Sequence, residues 1–136
     1  MIDTAAAHVA HVLSLGSPVQ VLRWHRDQPF DWRACNCCVV AGDYHLARTG
    51  VDVIAPWRWS YDDTQDEAYG VIAAAGGMAA FWLALGTQIG SFDLTNGDVL
   101  VARAEAGVWH EGAAWVRRPS GFELLEPGDF DLAVRL

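Results

Sequence analysis

Lysine is absent from this chain of 136 residues, and all nine basic residues are arginine. No lysine can therefore act as a base or as a Schiff-base former. Basic charge is scarce altogether: 17 acidic residues leave a net charge of −8, which excludes sequence-independent binding to nucleic acid or to an anionic membrane face. No apolar run is long enough to span a bilayer. Met1 to Leu15 holds Asp3, His8 and His11 and has no basic start, so no secretory signal is expected. Cysteine is limited to Cys35, Cys37 and Cys38, too close together to pair without strain, which points to free thiols.

What the chain has is apolar and aromatic mass. Half its residues are hydrophobic and seven are tryptophan, the composition of a single folded domain over 1–136. Asp3-Thr4 caps an expected helix from Ala5 to Leu15, ended by Gly16-Ser17-Pro18. Val19 to His25 reads equally as strand or helix, and Gln28-Pro29-Phe30 as loop. Asn36 is a good N-cap, Val39 to Ala47 is helix-compatible and Gly50 fits the position just past the end. Val51 to Tyr61 is an aromatic-rich loop, in which Trp57, Trp59 and Tyr61 flank Arg58; core cover and a protein-binding surface are equally compatible with it. Helices are expected over Gln65 to Ala75 and Met78 to Leu85.

After Gly86 the pattern changes. Val99 to Ala102 reads as a strand, and Gly107–His110 and Ala113–Arg117 as a hairpin turning at Glu111-Gly112. Gly121–Leu125 and Leu132–Arg135 add further strands. Helices over about 1–86 followed by an antiparallel sheet over about 97–136 make the class α+β.

The three cysteines carry the chemistry. A thiol at Cys37 would lie in the first turn of a helix, where free N–H groups and the helix dipole favour the thiolate. The Cys35-x-Cys37-Cys38 cluster could alternatively bind zinc or an iron–sulfur cluster with His25 or His45 completing it, but three ligands crowded in one turn fit a closed site poorly. No metal or cofactor is expected. His8, His11, His25 and His45 read as surface or hydrogen-bonded residues.

Phe30, Trp32, Asn36-Cys37 and Thr49-Gly50-Val51-Asp52 together resemble the cysteine-helix signature of the NlpC-type papain-like cysteine peptidases, more narrowly their phage and prophage tail-associated members. Gly97-Asp98-Val99 and Gly107-Val108-Trp109 resemble the starts of that family's first core strands. The resemblance implies a papain-like NlpC-type fold with Cys37 as the nucleophile position. It also implies a virion protein of the phage tail, made in the host cytoplasm, whose partners are other tail or baseplate proteins. The family's catalytic histidine would fall at Glu105 and its third polar residue near Arg117, neither of which can play those parts. Arg33 replaces a customary glycine. The first expectation is therefore a tail-tip or tail-assembly structural protein on a degenerate peptidase fold. The alternative is an active peptidase or amidase on peptidoglycan, with Cys37 attacking and His110 serving as base. A metal-binding module on the cysteine cluster is the third reading.

Overall fold

The computed structural model describes residues 2–90 and 93–136. Met1, where the reading of the N-terminus begins, lies outside them. Among the described residues five α-helices precede a six-stranded antiparallel sheet. The helices are α1 (Ala5–Leu15), α2 (Pro18–Asp27), α3 (Cys37–Thr49), α4 (Gln65–Ala74) and α5 (Met78–Leu83). The strands are β1 (Thr87–Ile89), β2 (Val99–Val101), β3 (Ala106–His110), β4 (Ala113–Arg118), β5 (Gly121–Leu125) and β6 (Leu132–Arg135), arranged in the order β1-β6-β2-β3-β4-β5.

Local chemistry starts each long helix. The Thr4, Ser17, Asn36 and Thr64 side chains accept from the amides of Ala7, Gln20, Val39 and Glu67, satisfying N–H groups that a helix leaves unpaired. Pro18 stands at the first position of α2, where its fixed φ suits a helix and its missing N–H costs nothing. The ambiguous Val19–His25 segment thus resolves as helix. The β3–β4 hairpin closes through Glu111 (φ 49°) and Gly112 (φ 84°), a pair of left-handed residues whose twist matches the strands.

Helix α3 is the centre of the packing. Every residue from Val39 to Leu46 is buried, including the polar Asp43 and His45. One side of α3 meets β3 and β4, and the other carries α1 and α2. Val39, Val40 and Tyr44 join Phe81, Trp82, Val99, Val101 and Val108 in the main core. The opposite sheet face is covered by a smaller cluster of Leu100, Ala114 and Ala133 with Leu125 and Phe130.

Strand β1 was not foreseen from the sequence. It is three residues long, largely exposed, and among the described residues pairs along its β6 edge alone (Thr87↔Arg135, Ile89↔Ala133), so no apolar alternation marks it. The turn into it comes very close to β6: a Cβ on Gly86 would collide with the Arg135 carbonyl oxygen and lie 2.8 Å from Val134 Cγ1. Gly86→Ala is therefore predicted to lower stability by about 1–3 kcal/mol, the usual cost of overpacking against backbone, read as a lower urea midpoint with an unchanged m-value. An unchanged midpoint would show that β1 is dispensable.

Candidate functional site

Cys37 opens α3, and the loop before it is built to hold that start. Asp31 and Cys35 exchange backbone hydrogen bonds (3.2 and 2.9 Å), and the Asp31 carboxylate accepts from the amides of Arg33 and Ala34 (2.7 and 2.8 Å). Arg33 is not among the residues with positive φ, so this path needs no glycine there. The Asn36 amide nitrogen donates to the Trp32 carbonyl, to which the Tyr61 hydroxyl also donates (2.7 Å). The aromatic loop of 51–61 is thus spent on the site: Tyr61 pins the cysteine loop and Trp57 packs edge-on against Phe81.

The Cys37 thiol is half-buried beside the first residues of β3. Its pKa is lowered by the adjacent Cys38 thiol, by the Ala106 amide and by the Cys38 amide, against burial and the nearby Glu105 carboxylate. Cys38 keeps its proton, with a pKa raised well above the ordinary value by its partner thiol and by burial. The Cys38 thiol also lies within donating reach of Met78 Sδ (3.6 Å). Cys37 and Cys38 line an open cleft of about 120 Å³. Its walls include Phe30, Trp32, Trp57, Tyr69, Ile72 and Phe81, and its polar lining includes Arg33, Glu105, Arg117 and Arg118. Glu105 and Arg117, the positions that replace the resemblance's histidine and third polar residue, therefore do share a cavity with Cys37.

Histidine does not occur among the described residues that line this cleft. His110 is engaged elsewhere: its Nδ1 lies 2.7 Å from the Tyr44 hydroxyl. Tyr44 is two turns along α3 from Cys37, about 10 Å of rise. Along β3, His110 is four residues beyond Ala106, about 13 Å. The structure thus does not bring His110 to the Cys37 thiol.

The cysteine cluster is not gathered around a common point either. Cys35 turns away from the cleft, its Sγ 3.2 Å from His25 Nδ1. Among the described residues the group able to surround an ion is His8, His25 and Asp43, with no cysteine in it. That group is better explained without a metal. Asp43 Oδ2 meets both His8 Nε2 (2.6 Å) and His25 Nε2 (2.7 Å), while Oδ1 meets Arg58 Nη2 (2.7 Å). Arg58 Nε also donates to Asp52 (2.9 Å). An ionised carboxylate only accepts, so each imidazole carries a proton on Nε2; for His25, whose pKa burial lowers, this leaves Nδ1 to accept from the Cys35 thiol. A divalent cation would have to displace those protons next to the Arg58 guanidinium.

This buried network carries no signal in the sequence, because His25 and His8 lie 18 and 35 residues from the Asp43 they bind. A mid-helix Asp43 within an otherwise apolar, buried stretch was the clue that could have exposed it. Its Cys35–His25–Asp43 part has the order of a catalytic relay, yet the Cys35 sulfur is buried, and burial raises its pKa. It is a clamp that ties α1, α2, α3 and the Arg58 loop to one carboxylate. Burial alone would raise the Asp43 pKa, but the His25 and His8 hydrogen bonds and the Arg58 charge outweigh it and hold the group well below the usual carboxylate range. Burial lowers the His25 pKa despite the partial offset from Asp43.

The chain belongs to a family of domains of unknown function (DUF6950), whose family model matches residues 17–135. No curated protein and no solved structure matches it. None of the described helices is long and apolar enough to cross a membrane.

The network makes stability pH-dependent with a definite sign. Both lowered pKa values mean that the unfolded chain binds protons more readily than the folded one. Their stabilisation is complete above about pH 6.5, falls first as unfolded His25 takes up its proton, and falls again below about pH 4 with Asp43. Unfolding free energy measured by urea titration should therefore drop from pH 7 to pH 5, and His25→Gln should flatten that slope. Asp43→Asn should cost about 3–5 kcal/mol, because it strands Arg58 and both imidazoles in the interior. A wild-type stability that is flat or rising on acidification would contradict this reading.

Proposed function

We propose that this protein is a phage or prophage tail-assembly protein, built on an NlpC-type, papain-like cysteine-peptidase fold that has given up catalysis. The observation that carries the reading is the cleft itself. A cysteine at the start of a buried helix faces the first residues of an antiparallel strand, with Glu105 beside it and no histidine among the described lining residues. The order of elements, a cysteine helix followed by an antiparallel meander, agrees with the resemblance in the Phe30–Asp52 segment.

Hydrolysis by a cysteine nucleophile needs a group that removes the thiol proton and later protonates the leaving amine. Glu105 is paired with Arg118 (2.9 Å), and a guanidinium such as that of Arg117 is a donor that does not serve as a base. The lowered thiol pKa lets Cys37 react with an added electrophile, but it supplies no proton for a departing amine. The cleft is left as a recognition surface, and the partners of this reading are other tail or baseplate proteins.

Deletion of the gene from a phage or prophage that carries it, followed by electron microscopy of the particles, tests both parts. Particles should lack complete tails, and Cys37→Ser supplied in trans should restore them as fully as wild type. Normal infectious particles without the gene would remove the tail role. Rescue by wild type but not by a well-expressed Cys37→Ser protein would restore the peptidase reading.

A further inference from the structure

The arginines of the cleft divide into two kinds. Four line it: Arg33, Arg58, Arg117 and Arg118. Arg58 is balanced by Asp43 and Asp52, and Arg118 by Glu105 and Glu123. Arg33 and Arg117 have no carboxylate within ion-pair distance among the described residues, although the chain carries 17 acidic residues. Arg117 is the sharper case, because its residue is 5% exposed. Its two terminal nitrogens donate to the backbone carbonyls of Arg118 and Gln28, and its planar group lies 5.8 Å from the Phe30 ring and 5.9 Å from the Phe122 ring. Its Nε has no oxygen partner, although the group also reaches the buried Cys35 thiol; the Arg33 Nε has no partner, and its guanidinium lies 5.8 Å from the Trp59 ring.

A guanidinium held in the interior without a counter-ion is costly, and chains retain one where a ligand supplies the missing charge. Guanidinium and carboxylate match in shape as well as in charge. The rest of the cleft is aromatic and aliphatic, and its volume of about 120 Å³ is of the size that takes up a single benzene-like group. A ligand that satisfies both features has one apolar side chain and a free carboxylate close to it. We propose that the cleft binds the C-terminus of a partner polypeptide, with the last side chain, apolar, between the aromatic walls and the terminal carboxylate on Arg117 and Arg33. This inference rests on the cleft alone and stands or falls separately from the tail-assembly reading.

Trp32 and Trp57 in the walls give a direct readout. The full chain is titrated with N-acetyl-Ala-Ala-Phe bearing a free carboxylate and with the same peptide as its C-terminal amide, following tryptophan fluorescence. The acid should bind at least tenfold more tightly than the amide. Arg33→Gln should reduce that preference, and Arg117→Gln should abolish it while leaving weak binding of the apolar side chain. Because Arg117 also holds two backbone carbonyls, its variant is compared by circular dichroism first; should it unfold, the acid–amide comparison on the wild type and the Arg33→Gln result decide. Equal affinity for acid and amide would mean that the cleft takes an internal apolar segment, and would overturn the proposal. So would the absence of binding by either peptide up to millimolar concentration.

Discussion

One carboxylate fixes the helical half of this molecule. Asp43 lies fully buried in the middle of α3 and is reached by His8 from α1, His25 from α2 and Arg58 from the aromatic loop. A charge in the interior is tolerable only when nearly every lone pair is used, so these four segments have little freedom to shift independently. The consequence is felt at the other end of α3. The helix that Asp43 anchors is the one that Cys37 opens, and the Arg58 loop that pairs with Asp43 continues into Tyr61, which secures the loop before the cysteine. The interior network and the cleft are therefore two ends of one rigid arrangement.

That arrangement separates two thiol chemistries that adjoin in sequence. Cys35 has an imidazole and a carboxylate behind it but no access, and burial keeps it protonated. Cys37 lines the cleft and has a lowered pKa, but no imidazole lies beside it among the described residues. Neither cysteine combines what a peptidase needs at one atom. The cleft beside Cys37 combines guanidinium groups of Arg33 and Arg117 that lack a carboxylate partner with aromatic walls, and no imidazole lines it among the described residues.

Much of the fold was legible because periodicity and punctuation are local. Caps at Thr4, Ser17, Asn36 and Thr64 and the Glu111-Gly112 turn mark their elements where they stand. The α2 segment was ambiguous because Val19 to His25 is short and mixed, and only the Ser17-Pro18 start decides it. Strand β1 was missed because its identity comes from β6, far along the chain. The position of Cys37 at a helix start was readable from Asn36. The role of His25 and His8 was not, since nothing local distinguishes a histidine bound to a distant buried aspartate from one at the surface. His110 lies five residues from Glu105 in the sequence, an odd offset that already shifts it along the strand edge. In three dimensions, distance along β3 and the Tyr44 hydroxyl take it out of the site.

Cys37 ionises with the adjacent Cys38 thiol as its titrating partner and with no imidazole among the described residues coupled to it. The pH dependence of its alkylation by iodoacetamide, followed for each cysteine by mass spectrometry, tests this most directly. A single ionisation below the ordinary thiol pKa, unchanged in a His110→Gln variant, is the predicted result. A two-step profile that becomes single on removing His110 would be the signature of a thiolate–imidazolium pair, and would contradict the account.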